Sequence, residues 1–210
     1  MDILNKYKVI LWDFDGVIMD SMPTRSLGFV KTLADFPKEQ VDQLLEFHNS
    51  NGGLSRYVKF RYFFEEIRKE AVSESKVMEL AHKFSEIMLS LLIDEKLLIQ
   101  DSVSFIKENY QNFTFHIVSG SDGKELNIIC KELGLSKYFQ TINGSPTAKI
   151  DLVSNLLEVY TYSHSEVALI GDSVNDKEAA DLNAISFFGY NNPSLSNAQY
   201  IYQLNNKYKV

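Results

Sequence analysis

The run Val9-Ile10-Leu11-Trp12-Asp13-Phe14-Asp15-Gly16 sets the architecture: four apolar residues stop abruptly at two carboxylates and a glycine. Continuous rather than alternating apolarity suits a strand covered on both faces, as in a parallel sheet. Three further runs behave alike. Phe113 to Val118 leads into Ser119-Gly120, Val167 to Ile170 into Gly171-Asp172, and Ile185 to Phe188 into Gly189. Helical patterns lie between them at Ser102–Tyr110, Lys124–Leu133, Lys149–Tyr160 and Asn175–Leu182. Strand–helix alternation implies right-handed crossovers and a doubly wound, mainly parallel, Rossmann-like α/β sheet.

From about Ser21 to Ile93 no strand-like run occurs. Val77, Leu80, Ala81, Phe84, Ile87, Met88, Leu91 and Leu92 keep helical spacing, Tyr57–Ile67 is a second helical stretch, and Leu27–Leu33 and Val41–Phe47 are weaker ones. An all-helical insert after the first strand is expected, so residues 1–18 and 94–210 form the core and 19–93 a cap. His48 to Gly53 reads as an exposed polar connector.

The bulk properties narrow the partners. The chain has 210 residues and 45% hydrophobic content, ordinary for a globular protein able to bury a sizeable core. Its 21 basic residues against 28 acidic ones give a net charge of −7. Non-specific nucleic-acid binding needs a basic face and is not expected. The single Cys130 cannot form an internal disulfide. The longest greasy segment, Ile87 to Ile93, is too short to span a bilayer, and no secretory signal precedes Asp13. A cytoplasmic protein with no membrane or nucleic-acid partner, a monomer or small homo-oligomer, is the expectation.

Ligands of open parallel sheets gather at the carboxyl ends of the strands. Those ends carry Asp13, Asp15, Ser119 and Asp172, with Lys149 opening a helix between. Each has a structural alternative: Asp13-Phe14-Asp15-Gly16 as a turn, Asp122 with Glu125 and Ser173 with Asp176 as helix caps. A calcium loop fits poorly, because its third acidic position falls on Val17. Lys149 at a helix start opposes the helix dipole, which favours a role in holding an anion.

Together, Asp13-Phe14-Asp15-Gly16-Val17, Ser119-Gly120, Lys149 and Gly171-Asp172-Ser173-Val174-Asn175-Asp176 resemble, in order, the four signature segments of the haloacid-dehalogenase superfamily of phosphatases. The resemblance spans nearly the whole chain, and the helical insert is similar to the cap of one subclass. It implies a Mg2+-dependent hydrolase of a small phosphorylated metabolite, with Asp13 as nucleophile forming an aspartyl-phosphate. Asp15 would be the general acid–base, Ser119 and Gly120 would hold a phosphate oxygen, and Lys149 would bridge nucleophile and phosphate. The Mg2+ ligands would be the Asp13 side chain, the Asp15 backbone carbonyl and Asp172, with Asp176 behind them. A cation is required physically: two unit charges 4 Å apart repel by about 4 kcal/mol at an effective dielectric near 20. An acid at Asp15 separates this chain from the dehalogenases and phosphonate hydrolases of the superfamily.

Gly53-Leu54-Ser55-Arg56 resembles a Gly-x-Ser-Arg stretch in the cap of the β-phosphoglucomutases, where the arginine meets a substrate phosphate. Sugar phosphates are one substrate class this implies; the alternative is that Ser55 caps a helix and Arg56 is merely exposed. The mutases carry a histidine shortly after the first motif, whereas here Ser21-Met22-Pro23-Thr24-Arg25 has none, so hydrolysis is favoured over a phosphomutase. A non-catalytic phosphate-binding module is the third reading.

Overall fold

The computed structural model describes residues 3–197 and 199–204. Its sheet has six parallel strands: β1 Val9–Trp12, β2 Thr114–Asp122, β3 Thr141–Ser145, β4 Val167–Gly171, β5 Ser186–Tyr190 and β6 Tyr200–Ile201, in the order β3-β2-β1-β4-β5-β6. The chain leaves the central strand β1, builds outward through β2 and β3, then returns to β4 on the other side. The gap between β1 and β4 at their carboxyl ends is therefore a topological switch point, where open α/β sheets bind ligands.

Both faces of β1 are covered, which explains its unbroken apolarity. Ile10 and Trp12 pack with Phe115, Ile117 and Phe188 in one core, beneath α5 (Gln100–Asn109) and α6 (Gly123–Glu132). Val9 and Leu11 join the opposite core under α7 (Lys149–Tyr160) and α8 (Val174–Leu182).

Before α5, the chain between β1 and β2 forms α1 Met22–Thr32, α2 Lys38–Ser50, α3 Arg56–Tyr62 and α4 Glu74–Leu92, with a π turn at Phe63–Ile67 continuing α3. The α1–α4 contact is close enough that a Cβ on Gly28 would meet Met88 Cε at 2.4 Å. The two passages joining these helices to the sheet are bonded to each other, Asp20 N to Leu97 O at 2.8 Å and Ile99 N to Ile18 O at 2.9 Å.

Two expectations are corrected here. The connector between α2 and α3 starts at Asn51, because His48 lies inside α2, 1% exposed, with its ring 5.0 Å from that of Phe29. Strands β3 and β6, which no apolar run announces, complete the two edges of the sheet. No helix among the described residues is long and apolar enough to cross a membrane.

Candidate active site

Asp13 follows the last residue of β1 and is 3% exposed, with its backbone N–H donating to Ile170 of β4 at 3.0 Å. Asp172 follows the last residue of β4. Its carboxylate sits so close to the turn after Asp15 that a Cβ on Gly16 would lie 1.9 Å from its Oδ2. Gly16 also has φ +78°, so both conformation and space require glycine there. Two asparagines brace this edge: Asn191 donates to Gly16 O at 3.0 Å and Asn192 to Asp172 O at 2.7 Å.

Oxygens of Asp13, Asp172 and Asp176 lie within 4.8 Å of one another. Lys149, the first residue of α7 and 7% exposed, reaches Asp13 Oδ1 at 2.8 Å and also donates to Asp176. The other Asp176 oxygen accepts from Ser173 N and Ser173 Oγ at 3.0 and 2.7 Å, so the capping box of α8 doubles as the mount for this residue. The four expected members of the cluster thus come together from β1, α7, β4 and α8.

Electrostatics here are strained in one direction. Burial and then the charge of Asp176 push the Asp13 carboxyl well above the usual range. The same two causes raise Asp172 to about 7. Burial opposes charge on Lys149, but Asp13 and Asp176 outweigh it and hold the ammonium firmly protonated. Three carboxylates against one ammonium leave two negative charges, the charge of one divalent cation. An all-oxygen donor set of this kind suits a hard ion such as Mg2+.

Asp15 is in different company. Its carboxylate accepts from Arg25 Nε at 2.6 Å, from Ser21 and from Ser121. Burial opposes ionisation, yet Arg25 and the two hydroxyls outweigh it and hold Asp15 at about 2. Its carboxylate is thus engaged by the helical layer and is not part of the oxygen cluster of Asp13, Asp172 and Asp176.

Ser119 is 1% exposed and its Oγ accepts from Ser121 N at 3.1 Å. Gly120 lies under the loop before α3, where a Cβ would come within 2.2 Å of Gly53 O. A Cβ on Gly53 would meet Ser173 Oγ at 2.7 Å. The Gly52-Gly53-Leu54 loop is therefore pressed against the second and fourth motifs at once, and glycines permit the approach.

Arg56 is 4% exposed, which overturns its reading as an exposed residue. Ser55 does cap α3, accepting from Val58 N at 3.4 Å, while Arg56 reaches Glu125 at 2.6 Å and Ser85 at 2.6 Å. Glu125 also takes Arg25 at 2.9 Å. Asp122 caps α6 as its spacing suggested, but Glu125 turns inward to these arginines instead of completing the box. A small cavity of about 20 Å3 beside Asp15 is lined by Arg25, His48, Arg56, Lys59, Gly120 and Ser121, among others. Lys59 is 3% exposed, and burial lowers it to about 7. Tyr57 donates to Asp122 at 2.6 Å, a further link between α3 and α6.

Sequence reasoning missed Arg25, His48, Lys59, Ser121 and Glu125. A signal existed for two of them. Arg56, Lys59, Phe60 and Phe63 share one helical face, so cations occupy a stripe that otherwise reads as core. Arg25, like Lys149, is a cation near a helix start.

Residues 10–190 match the family described as "Haloacid dehalogenase-like hydrolase". A phosphoglycolate phosphatase from Colwellia psychrerythraea is 24% identical over 206 residues, covering 90% of this chain and 88% of that protein. Among solved structures, a β-phosphoglucomutase from Clostridium difficile aligns with TM-score 0.75 at 19% identity, over 97% of this chain and 94% of the other. CbbY from Rhodobacter sphaeroides, in complex with xylulose-(1,5)bisphosphate, aligns with TM-score 0.76 at 14% identity, over 94% and 95%. With four strand-end motifs converging on one carboxylate cluster and the family match spanning most of its length, the chain belongs to the haloacid dehalogenase-like hydrolases.

Proposed function

We propose that the protein is a Mg2+-dependent phosphatase acting on a small phosphorylated metabolite, with Asp13 as the nucleophile. The observation that carries this reading is the cluster of Asp13, Asp172, Asp176 and Lys149, two negative charges in excess, buried at the switch point of the sheet. Asp13, the Asp15 carbonyl and Asp172 would hold Mg2+, with Asp176 fixing Lys149 behind them. Bound there, the ion supplies the positive charge that lets a carboxylate approach a phosphoryl group.

In this scheme Lys149 keeps Asp13 oriented and meets the phosphate, while Ser119 Oγ and the Gly120 N–H bind one of its oxygens. Asp13 attacks phosphorus and forms an aspartyl-phosphate. Asp15 would give a proton to the leaving oxygen and then, as the carboxylate, take one from the water that cleaves the intermediate; Arg25, Ser21 and Ser121 hold it ionised here, so the acid role requires that grip to loosen and a proton to be taken up first. Residues 19–93 act as a helical cap over a core of residues 1–18 and 94–210, with Gly53 and Arg56 at the seam. Hydrolysis is favoured over mutase chemistry because Ser21-Met22-Pro23-Thr24-Arg25 offers no histidine, and the side chain that α1 extends to Asp15 is a permanent cation, Arg25.

The test is a phosphate-release screen over phosphoglycolate, sugar phosphates and nucleotides with Mg2+. Asp13→Asn and chelator-treated protein serve as blanks. Release that depends on both Asp13 and the metal is expected; an Asp13→Asn protein of full activity would remove the assigned nucleophile.

A further inference from the structure

Asn191 and Asn192 follow β5 at the carboxyl edge of the sheet and take no part in the chemistry proposed above. In the strand order β1-β4-β5, β5 is not paired with β1. Yet Asn191 Nδ2 donates to Gly16 O at 3.0 Å, reaching past the end of β4 to the turn after β1. Its neighbour Asn192 donates from Nδ2 to Asp172 O at 2.7 Å. One dipeptide thus ties together the two loops that carry Asp15 and Asp172. Both side-chain amides are oriented by their partners, because a backbone carbonyl only accepts and the amide nitrogen must face it.

The backbone makes the choice of residue informative. Asn191 has φ +55°, in the left-handed region that glycine occupies most easily. Asparagine tolerates that region and, unlike glycine, brings a donor. The residue before it anchors the strand end: Tyr190 is buried, and its hydroxyl donates to Asp101 of α5 at 2.9 Å. Asn192 is fixed by the turn it begins, its Oδ1 accepting from Ser194 N at 3.1 Å and Ser194 Oγ at 2.8 Å. On the receiving side, Gly16 N donates to Met19 O at 2.7 Å. That N–H belongs to the same peptide unit as the Asp15 carbonyl. Met19 therefore holds one end of this unit, and Asn191 holds the carbonyl that follows it.

Three carboxylates with oxygens within 4.8 Å of one another repel across the gap between β1 and β4, and nothing in the strand pairing itself restrains the loops beyond the strand ends. We infer that Asn191 and Asn192 are positioning residues of the metal site. They hold the turn after Asp15 and the backbone at Asp172 at one spacing, so that an arriving ion meets its ligands with little rearrangement. The inference rests on the metal-dependent phosphatase reading and adds to it what keeps the ligands of the two motifs in register.

The experiment follows Mg2+ binding to metal-free protein by calorimetry, with thermal unfolding alongside, for the wild type and two variants. Asn191→Gly keeps the left-handed backbone at no steric cost and removes only the amide, so it should fold. Asn192→Ser keeps a hydroxyl that can cap the following turn but is too short to reach Asp172 O. Each variant is expected to bind Mg2+ about 10–100-fold more weakly than the wild type, the usual cost of losing a group that orients a metal ligand. The Mg2+ concentration for half-maximal phosphate release should rise by the same factor. Wild-type Mg2+ affinity in Asn191→Gly, whatever its thermal midpoint, would make the asparagines turn residues only and overturn the inference, leaving the phosphatase reading intact. Asn191→Gly decides the matter even if Asn192→Ser does not fold. No Mg2+ binding by the wild type would overturn the metal-dependent reading and the inference with it.

Discussion

The edge of the sheet and the inner face of the helical layer meet at Asp15 with opposite surpluses of charge. On the sheet side, Asp13, Asp172 and Asp176 outnumber Lys149, and burial plus mutual repulsion raise Asp13 and Asp172. On the helical side, Arg25, Arg56 and Lys59 outnumber Glu125, and burial lowers Lys59. Asp13 and Asp15 are two residues apart, yet one is pushed toward protonation and the other held ionised at about 2. Both follow the end of β1, so the contrast comes from what each carboxylate meets there: two further carboxylates and Lys149 for Asp13, Arg25 and two hydroxyls for Asp15. An acidic edge draws a metal; a basic face draws an organic anion.

Breaking the sheet side should have the largest effect. Lys149→Met is expected to lower kcat by about 100–1000-fold, the cost of deleting one preorganised charge on a reacting phosphate. Mg2+ binding, followed by calorimetry, should not weaken, since the substitution leaves every carboxylate in place. Weaker metal binding would mean that Lys149 holds the ligand cage together rather than the phosphate.

The helical side should respond first in stability. Arg25→Ala leaves Asp15 and Glu125 buried with a partner removed, and breaking a buried pair in this way costs about 3–5 kcal/mol. Chemical denaturation measures it; a loss under about 1 kcal/mol would mean that water replaces the arginine readily and the seam is looser than drawn.

A smaller effect concerns pH. Burial lowers Lys59 to about 7, so it is fully charged only below that pH. The groups facing it are His48 from α2, Arg25 from α1, Asp15 at the strand end, Arg56 on its own helix and Lys149 from α7. Burial lowers it first, and the three cations add to this against the pull of Asp15. An anion held by Lys59 is therefore bound best below pH 7 and less well above it. KM of the wild type on its best substrate should rise by up to about tenfold per pH unit above 7, and Lys59→Met should abolish that rise. An unchanged profile in Lys59→Met would place the titration elsewhere.

The smallest effect tests local structure alone. Ser55→Ala removes the cap of α3, worth about 1 kcal/mol, and should lower stability without altering kcat on the best substrate.

What could be read in the sequence follows the same divide. Strand-end motifs are legible because β1 and β4 are buried on both faces, and a carboxylate directly after such a run has few structural uses. Edge strands give no such signal. In β3, Asn143 donates to Ile117 O at 3.2 Å and to Thr141 Oγ1 at 2.6 Å, so polar side chains serve where one flank is open. The basic face was hidden because its members come from three helices and sit among aromatic rings. Arg56 lies 4.6 Å over the ring of Phe84 and His48 5.0 Å from that of Phe29, so the pattern reads as plain core. Glu125 was hidden differently: its spacing from Asp122 suited a helix cap, and only the arrival of two arginines from the helical layer gives it another partner.

The most direct measurement takes the enzyme turning over its best substrate with Mg2+, quenches it in acid, and reduces any acyl phosphate with borohydride before peptide mass spectrometry. A phosphorylated nucleophile is converted to homoserine, and the account places that change at Asp13. An unmodified Asp13 with the label at Asp15 or Asp172 would contradict it.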